Sequence, residues 1–204
     1  MISNTLTTMP VQIGAKAHSF LNPMALLSDC HRRIEMFLRS LERVAASIDQ
    51  PLSKDARSAL ESALRYFCEA APKHTADEER SLFPRLRQIH LPGTRSALMS
   101  LDALEHEHEQ ANILHAEVNA LGIQCLEHGH LSVSETMRFR EAVAELWNIY
   151  KEHIRVEDEL VFPAAEQALS GSEKEAIARE MEERRNVRSL TLLRCKASRI
   201  GACH

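Results

Sequence analysis

Aromatic residues make up only 4% of this 204-residue chain, and glycine (6) and proline (7) are each sparser still. Strands draw on β-branched and aromatic side chains and are joined by Gly- and Pro-rich turns, so these shortages argue against a sheet protein. The abundance of Leu, Ala, Glu and Arg favours helix instead. No apolar run approaches the roughly 20 residues of a membrane span. Basic charge is not in excess: 25 Lys and Arg face 29 Asp and Glu, a formal net charge of -4, which leaves no electrostatic footprint for nucleic acid. Residues 1–16 lack a basic start followed by an apolar stretch and a small-residue cleavage site, so a cytoplasmic location is expected. Five cysteines (Cys30, Cys68, Cys125, Cys195 and Cys203) are odd in number and contain no Cys-x-x-Cys pair, which argues against a disulfide framework or a thiolate zinc site. Cys30 and Cys68 read as buried reduced thiols.

What the chain does contain is helical periodicity. Residues 1–20 read as an arm. A first helix is expected from about Pro23 to Ser47, because Leu27, His31, Ile34, Leu38, Leu41 and Ala45 recur four and three apart. A second begins at the N-cap Ser53, and its apolar stripe runs Leu60, Leu64, Phe67, Ala71, His74, Glu78, Leu82, with a kink expected at Pro72. The third, from about Thr94 to Leu121, carries Leu101, Leu104, His108, Ala111, His115 and Val118 inward, followed by a loop with Gly122, His128, Gly129 and His130. A capping box, Ser132 to Glu135, opens the fourth, whose buried face is Phe139, Val143, Leu146, Tyr150, His153 and Glu157. Gly171 and a second box, Ser172 to Glu175, signal a fifth helix ending near Asn186, with a basic tail beyond. The expected division is therefore 1–20, a main domain over 21–170, and a C-terminal helix and tail over 171–204.

Six ionisable residues stand in these apolar stripes, and they repeat. His74-x-x-x-Glu78 with Leu82-Phe83-Pro84 returns 79 residues later as His153-x-x-x-Glu157 with Val161-Phe162-Pro163, and isolated histidines, His31 and His108, precede the two copies 77 residues apart. Any one of these histidines alone would read as a satisfied core residue. As a duplicated set in a bundle interior they point to a dinuclear metal site, since unpaired buried carboxylates lose several kcal/mol of hydration. Four imidazoles and two carboxylates can give each ion two nitrogens and two bridging oxygens, leaving a position for solvent or a ligand. That donor set suits iron, and manganese or zinc also accept it. His115 lies about 10.5 Å along the helix from His108 and is either a further ligand or gate, or a buried histidine beside the site. Tyr150, one turn before His153, is either a hydrogen-bond donor or radical trap near the metals, or a core aromatic. Asp77, Glu79, Asp158 and Glu159 are expected to point outward into solvent.

The motifs Asn22-Pro23 through Cys30-His31-Arg32-Arg33-Ile34-Glu35, His74 to Glu79 with Leu82-Phe83-Pro84, Glu107-His108, and Tyr150 to Asp158 with Phe162-Pro163 resemble the hemerythrin-like proteins with the HHE cation-binding domain over about residues 20–170. The resemblance implies an all-α, up-down four-helix bundle around a non-heme, oxo- or hydroxo-bridged di-iron centre that binds or reacts with dioxygen, hydrogen peroxide or nitric oxide. Oxygen-carrying hemerythrins place His-x-x-x-His on the third helix, where this chain has Asn112 four residues after His108, and use an aspartate where it has Glu157. The site is closer to the four-histidine, two-glutamate bacterial type. Three roles follow as expectations: an oxidant-handling protein with catalase-like turnover of peroxide, a sensor of oxygen, nitric oxide or iron, and an iron store or repair protein.

Overall fold

The computed structural model describes residues 22–89 and 91–186, so the expected N-terminal arm and basic tail lie outside the described residues. The first arm of the bundle is α1 (Pro23–Ser47), whose start is fixed by Pro23 and by the Asn22 side chain accepting a hydrogen bond from the Ala25 amide at 3.1 Å. The second arm is broken into α2 (Lys54–Glu69), α3 (Ala71–Asp77), a π-turn over Glu78–Leu82, and α4 (Phe83–Leu86). A short 3₁₀ turn, Pro92–Thr94, leads to α5 (Arg95–His128), and α6 (Val133–Val156) returns antiparallel to it. A second π-turn, Glu157–Val161, continues α6 into α7 (Phe162–Ala168), and α8 (Gly171–Asn186) closes the described chain. No strand occurs among the described residues. Helix α1 packs on α2, α2 on α5, α5 on α6, and α6 back on α1, the up-down ring of a four-helix bundle. The fifth helix, α8, lies against α1, α3 and the first π-turn.

Several boundaries differ from the sequence reading for identifiable reasons. The break in the second arm falls at Ala70, two residues before Pro72, because the proline ring has no room for the carbonyl four residues back. Helix α5 runs on through Gly122 to His128 instead of ending near Leu121. Gly122 is an interior packing residue: a Cβ there would lie 2.8 Å from Leu64 Cδ1, so its absence lets α5 and α2 approach. The true stop is Gly129, left-handed at φ 81° with its N–H bonded to the Cys125 carbonyl. The box opening α8 is formed by Ser170 and Glu173, two residues earlier than expected, through reciprocal bonds of 2.8 and 3.3 Å.

The π-turns explain the Phe-Pro tails. In each, the amide of the phenylalanine reaches back five residues, Phe83 to the Glu78 carbonyl and Phe162 to the Glu157 carbonyl. Pro84 and Pro163 follow at once, and widening the helix by one residue relieves the clash each ring would make with an α-helical carbonyl four positions back. The widened turn begins at the glutamate of each motif.

Two apolar clusters fill the bundle. The larger runs from Ile34 to Ile48 on α1, through Leu60, Leu64 and Phe67 on α2, to Ala111–Cys125 on α5 and Phe139–Ile154 on α6. The smaller holds Leu27, Phe83, Leu86, Leu101, Leu104, Val161 and Phe162, and α8 covers it with Ile177 and Met181. On α1 and α5 the isolated histidines stand between the two clusters, so the polar belt forms a layer with an apolar plug at each end. Cys30 is a buried thiol in no disulfide, as expected, whereas Cys68 is half-buried and disulfide-bonded, contrary to the reading as a reduced thiol. Filling the Gly122 gap should loosen the α2–α5 contact: Gly122→Val is expected to lower unfolding stability by about 1–3 kcal/mol in urea melts, and unchanged stability would show that Leu64 yields freely.

Candidate metal centre

His31, His74, Glu78, His108, His153 and Glu157 are all buried and converge in this layer. They fall into two groups whose donor atoms lie within 4.8 Å of one another: His31, His74, Glu78 and Glu157, and Glu78, His108, His153 and Glu157. Both carboxylates belong to both groups. Glu78 turns Oε1 toward His74 Nε2 (3.2 Å) and His31 Nε2 (3.9 Å), and Oε2 toward His108 Nε2 (3.5 Å). Glu157 Oε2 lies 3.0 Å from His31 Nε2 and 3.3 Å from His153 Nε2. Two donors each about 2.1 Å from one ion at right angles are about 3 Å apart, so these edges are the size of coordination polyhedra.

Hydrogen bonding leaves the centre unsatisfied. Eight buried side-chain polar atoms among the described residues lack a hydrogen-bond partner, and seven belong to this set: His31 Nε2, His74 Nδ1, both oxygens of Glu78, His153 Nε2 and both oxygens of Glu157. Buried polar atoms are almost always paired, so the cluster fits an arrangement completed by cations.

The outer ring nitrogens are held from behind. His31 Nδ1 donates to Asp158 Oδ1 at 3.0 Å, His108 Nδ1 to Glu79 Oε1 at 2.9 Å, and His153 Nδ1 to Glu107 Oε2 at 2.8 Å. These bonds fix the tautomer that turns an Nε2 lone pair toward the centre. Asp158 is itself held by Ser28 Oγ at 2.7 Å and Arg32 Nη2 at 2.9 Å. Phe162 stacks on His31 (centroids 5.2 Å) and Phe83 on His108 (6.5 Å). The expectation that Asp77, Glu79, Asp158 and Glu159 all face solvent therefore holds only for Glu159, which pairs with Arg155 on the surface. Helical phase places Glu79 and Asp158 off the buried stripe, but a long acid at the edge of one helix reaches a histidine on another. The signal was present, since Glu79 and Asp158 obey the same 79-residue spacing, whereas Glu107 was marked only by its place beside His108 in the family motif.

Asp77 departs furthest. Its side chain is fully buried, bonded to Arg184 Nη1 at 2.7 Å and Arg185 Nη2 at 2.6 Å from α8. Arg184 also bonds Ser81 Oγ, and Arg85 pairs with Glu180 at 2.7 Å. The position between His74 and Glu78 thus anchors the fifth helix.

His115 lies outside both donor groups. Its Nε2 is hydrogen-bonded to Tyr150 Oη at 3.0 Å and its ring stacks on Phe67 at 4.3 Å. Burial pushes its imidazole down to about 4, which keeps it neutral at pH 7. A cavity of about 180 Å³ opens beside it, walled by Leu64, Phe67, Pro72, Asn112 and Val118 among others.

The cluster is electrostatically poised for cations. Burial, then the neighbouring Glu157 and Asp77, push the Glu78 carboxyl well up. Burial alone would lower His153, but Glu157 and Glu107 raise it to about 9. Burial, with His31 beside it, holds His74 well below the usual imidazole range.

The family model for the Hemerythrin HHE cation binding domain matches residues 22–165, and the chain belongs to that family. It is also 30% identical over 169 residues to an uncharacterized protein of Haemophilus influenzae, a match covering 81% of this chain and 91% of that protein. Family and donor geometry together make this a cation-binding domain. No helix among the described residues is long and apolar enough to cross a membrane.

A cation at this cluster competes with protons for His153, raised to about 9, and for Glu78, whose carboxyl is pushed well up by burial. Affinity is therefore expected to rise from pH 6 toward pH 9, with protons released on loading, as cobalt(II) isotherms in buffers of different ionisation enthalpy would show. Affinity independent of pH would contradict this account.

Proposed function

We propose that the chain holds two iron ions, one between His31 and His74 and one between His108 and His153, with Glu78 and Glu157 bridging, and that small oxidants such as dioxygen and hydrogen peroxide bind or react there. The observation that carries this reading is that two four-residue donor groups share both carboxylates, while neither carboxylate has a hydrogen-bond partner. Imidazole and carboxylate donors without thiolate suit iron, and manganese or zinc are the alternatives the same donors accept. When bound, the iron pair supplies redox equivalents and exchangeable positions for a small ligand.

The chain's own work is orientation and exclusion. Asp158, Glu79 and Glu107 hold three imidazoles in the donor tautomer. The apolar clusters on either side, including Phe67, Leu104, Val143 and Leu146, restrict water and favour small neutral molecules over organic anions. The cavity beside His115 offers an approach from the α2–α5 side, and His115, bonded to Tyr150 Oη, presents a neutral ring to it without adding a charge. In this reading His115 lines the approach, Tyr150 holds its ring, and neither is a ligand.

Protein from iron-replete cells is expected to carry about two irons per chain, with less than half that in Glu157→Ala, because no other donor in the apolar layer replaces a bridging carboxylate. With free iron chelated, an oxygen electrode should register peroxide disproportionation by the native protein and none by His153→Ala. Full iron in Glu157→Ala would sink the ligand assignment; no oxygen above the His153→Ala control would reject catalase-like turnover and leave reversible binding of dioxygen or nitric oxide.

A second reading, sensing of iron or a small gas through α8, is favoured by one specific contact. Asp77 sits between His74 and Glu78 and is gripped by Arg184 and Arg185, so a change at the centre is passed to that helix. Hydrogen exchange over residues 171–186 should be faster in the metal-depleted protein. Identical exchange in the two forms would remove this reading.

A further inference from the structure

The duplication extends beyond the six central residues, and it fails at one point. His31 and His108 are 77 apart, and Glu79 and Asp158, like Phe83 and Phe162, are 79 apart. The contacts obey the repeat in crossed fashion: the acid and phenylalanine after each bridging glutamate engage the isolated histidine of the other copy, Glu79 and Phe83 on His108, Asp158 and Phe162 on His31. Glu107, the residue before His108, then accepts from His153 Nδ1. Its counterpart, the residue before His31, should serve His74. That residue is Cys30. His74 Nδ1 is buried with no hydrogen-bond partner, alone among the outer nitrogens of the four histidines. A thiol is a weak acceptor and no substitute for a carboxylate.

We infer that the two metal positions are unequal: the ion between His108 and His153 is tightly held, and the ion between His31 and His74 is the exchangeable one, because Cys30 stands where the repeat calls for an acid. The inference rests on the reading of the six residues as ligands. Both histidines of the tight position are anchored, by Glu79 and Glu107; of the other pair only His31 is, by Asp158. An anchored imidazole is more basic and keeps its orientation, and loss of one such partner typically lowers metal affinity by about 10–100-fold. Pro72, two residues before His74, lines the cavity beside His115, so the weaker position is carried by a segment that borders that opening. A one-metal form with the His108–His153 position filled is then the state at low iron, and the second ion comes and goes with supply.

The test uses the metal-depleted full chain titrated with cobalt(II) against a chelator of known affinity. Native protein should bind in two steps at least about tenfold apart. His74→Ala should keep one ion at the affinity of the tight step, whereas the ion left in His153→Ala should be held at least about tenfold more weakly. Cys30→Glu, with Arg185 nearby to accompany the new charge, should tighten the looser step by about tenfold or more. Equal affinities in the two histidine variants would overturn the inequality while leaving two ions and the ligand assignment intact. Native helicity with an unchanged looser step in Cys30→Glu would remove Cys30 as its cause. Failure of the native chain to bind two ions would instead reject the ligand set itself.

Discussion

Two glutamates, Glu78 and Glu157, are wholly shut off from solvent within one site, and the rest of the bundle is arranged around that fact. Each buried carboxylate costs several kcal/mol of hydration, and a like neighbour adds to the cost. Four imidazoles aimed at the same space only partly compensate, since seven polar atoms of the set remain without a hydrogen bond. Cations are the natural completion. The apolar clusters above and below keep the layer in a low-dielectric setting, where charge interactions are strong and uncompensated charge is costly.

The bundle builds this layer by crossing two copies of one helix pair. Each copy supplies a histidine, a buried glutamate, an acid directly after it and a phenylalanine, but the acid and the phenylalanine serve the other copy. Neither half could orient its own isolated histidine, so the site exists only when both pairs pack. The π-turns belong to the same device. Each begins at Glu78 or Glu157 and ends before a proline that would otherwise collide with its own helix, which ties the widening of the backbone to the position of the buried carboxylate.

The fifth helix is bound to this layer through charge. Asp77 is as deeply buried as Glu78 and Glu157, and Arg184 and Arg185 compensate it from α8. Ile177 and Met181 add apolar contact with the smaller cluster. Breaking one side of a buried ion pair leaves the other charge stranded, so α8 cannot drift without disturbing the segment that bears His74 and Glu78.

The fold class was legible in the sequence because helical period and caps are local: the bounds of α1, the Ser53 cap and the Ser132–Glu135 box follow from residues within a turn of one another. That these six residues are buried together was legible because they sit on apolar faces and repeat at a fixed spacing. Tertiary structure alone decided what each helix meets. A helical wheel reports that Glu79 and Asp158 lie off the stripe, but not that a histidine of another helix lies within their reach, and it places Asp77 outward because α8 is not on the wheel. Gly122 reads as a helix end until the Leu64 side chain is seen against it. The unpartnered His74 Nδ1 is likewise invisible in one dimension, since only the packed bundle shows that Glu107 holds a histidine of another helix and that His74 has no such partner. Period and caps depend on neighbours in the chain, whereas compensation of buried charge depends on neighbours in space.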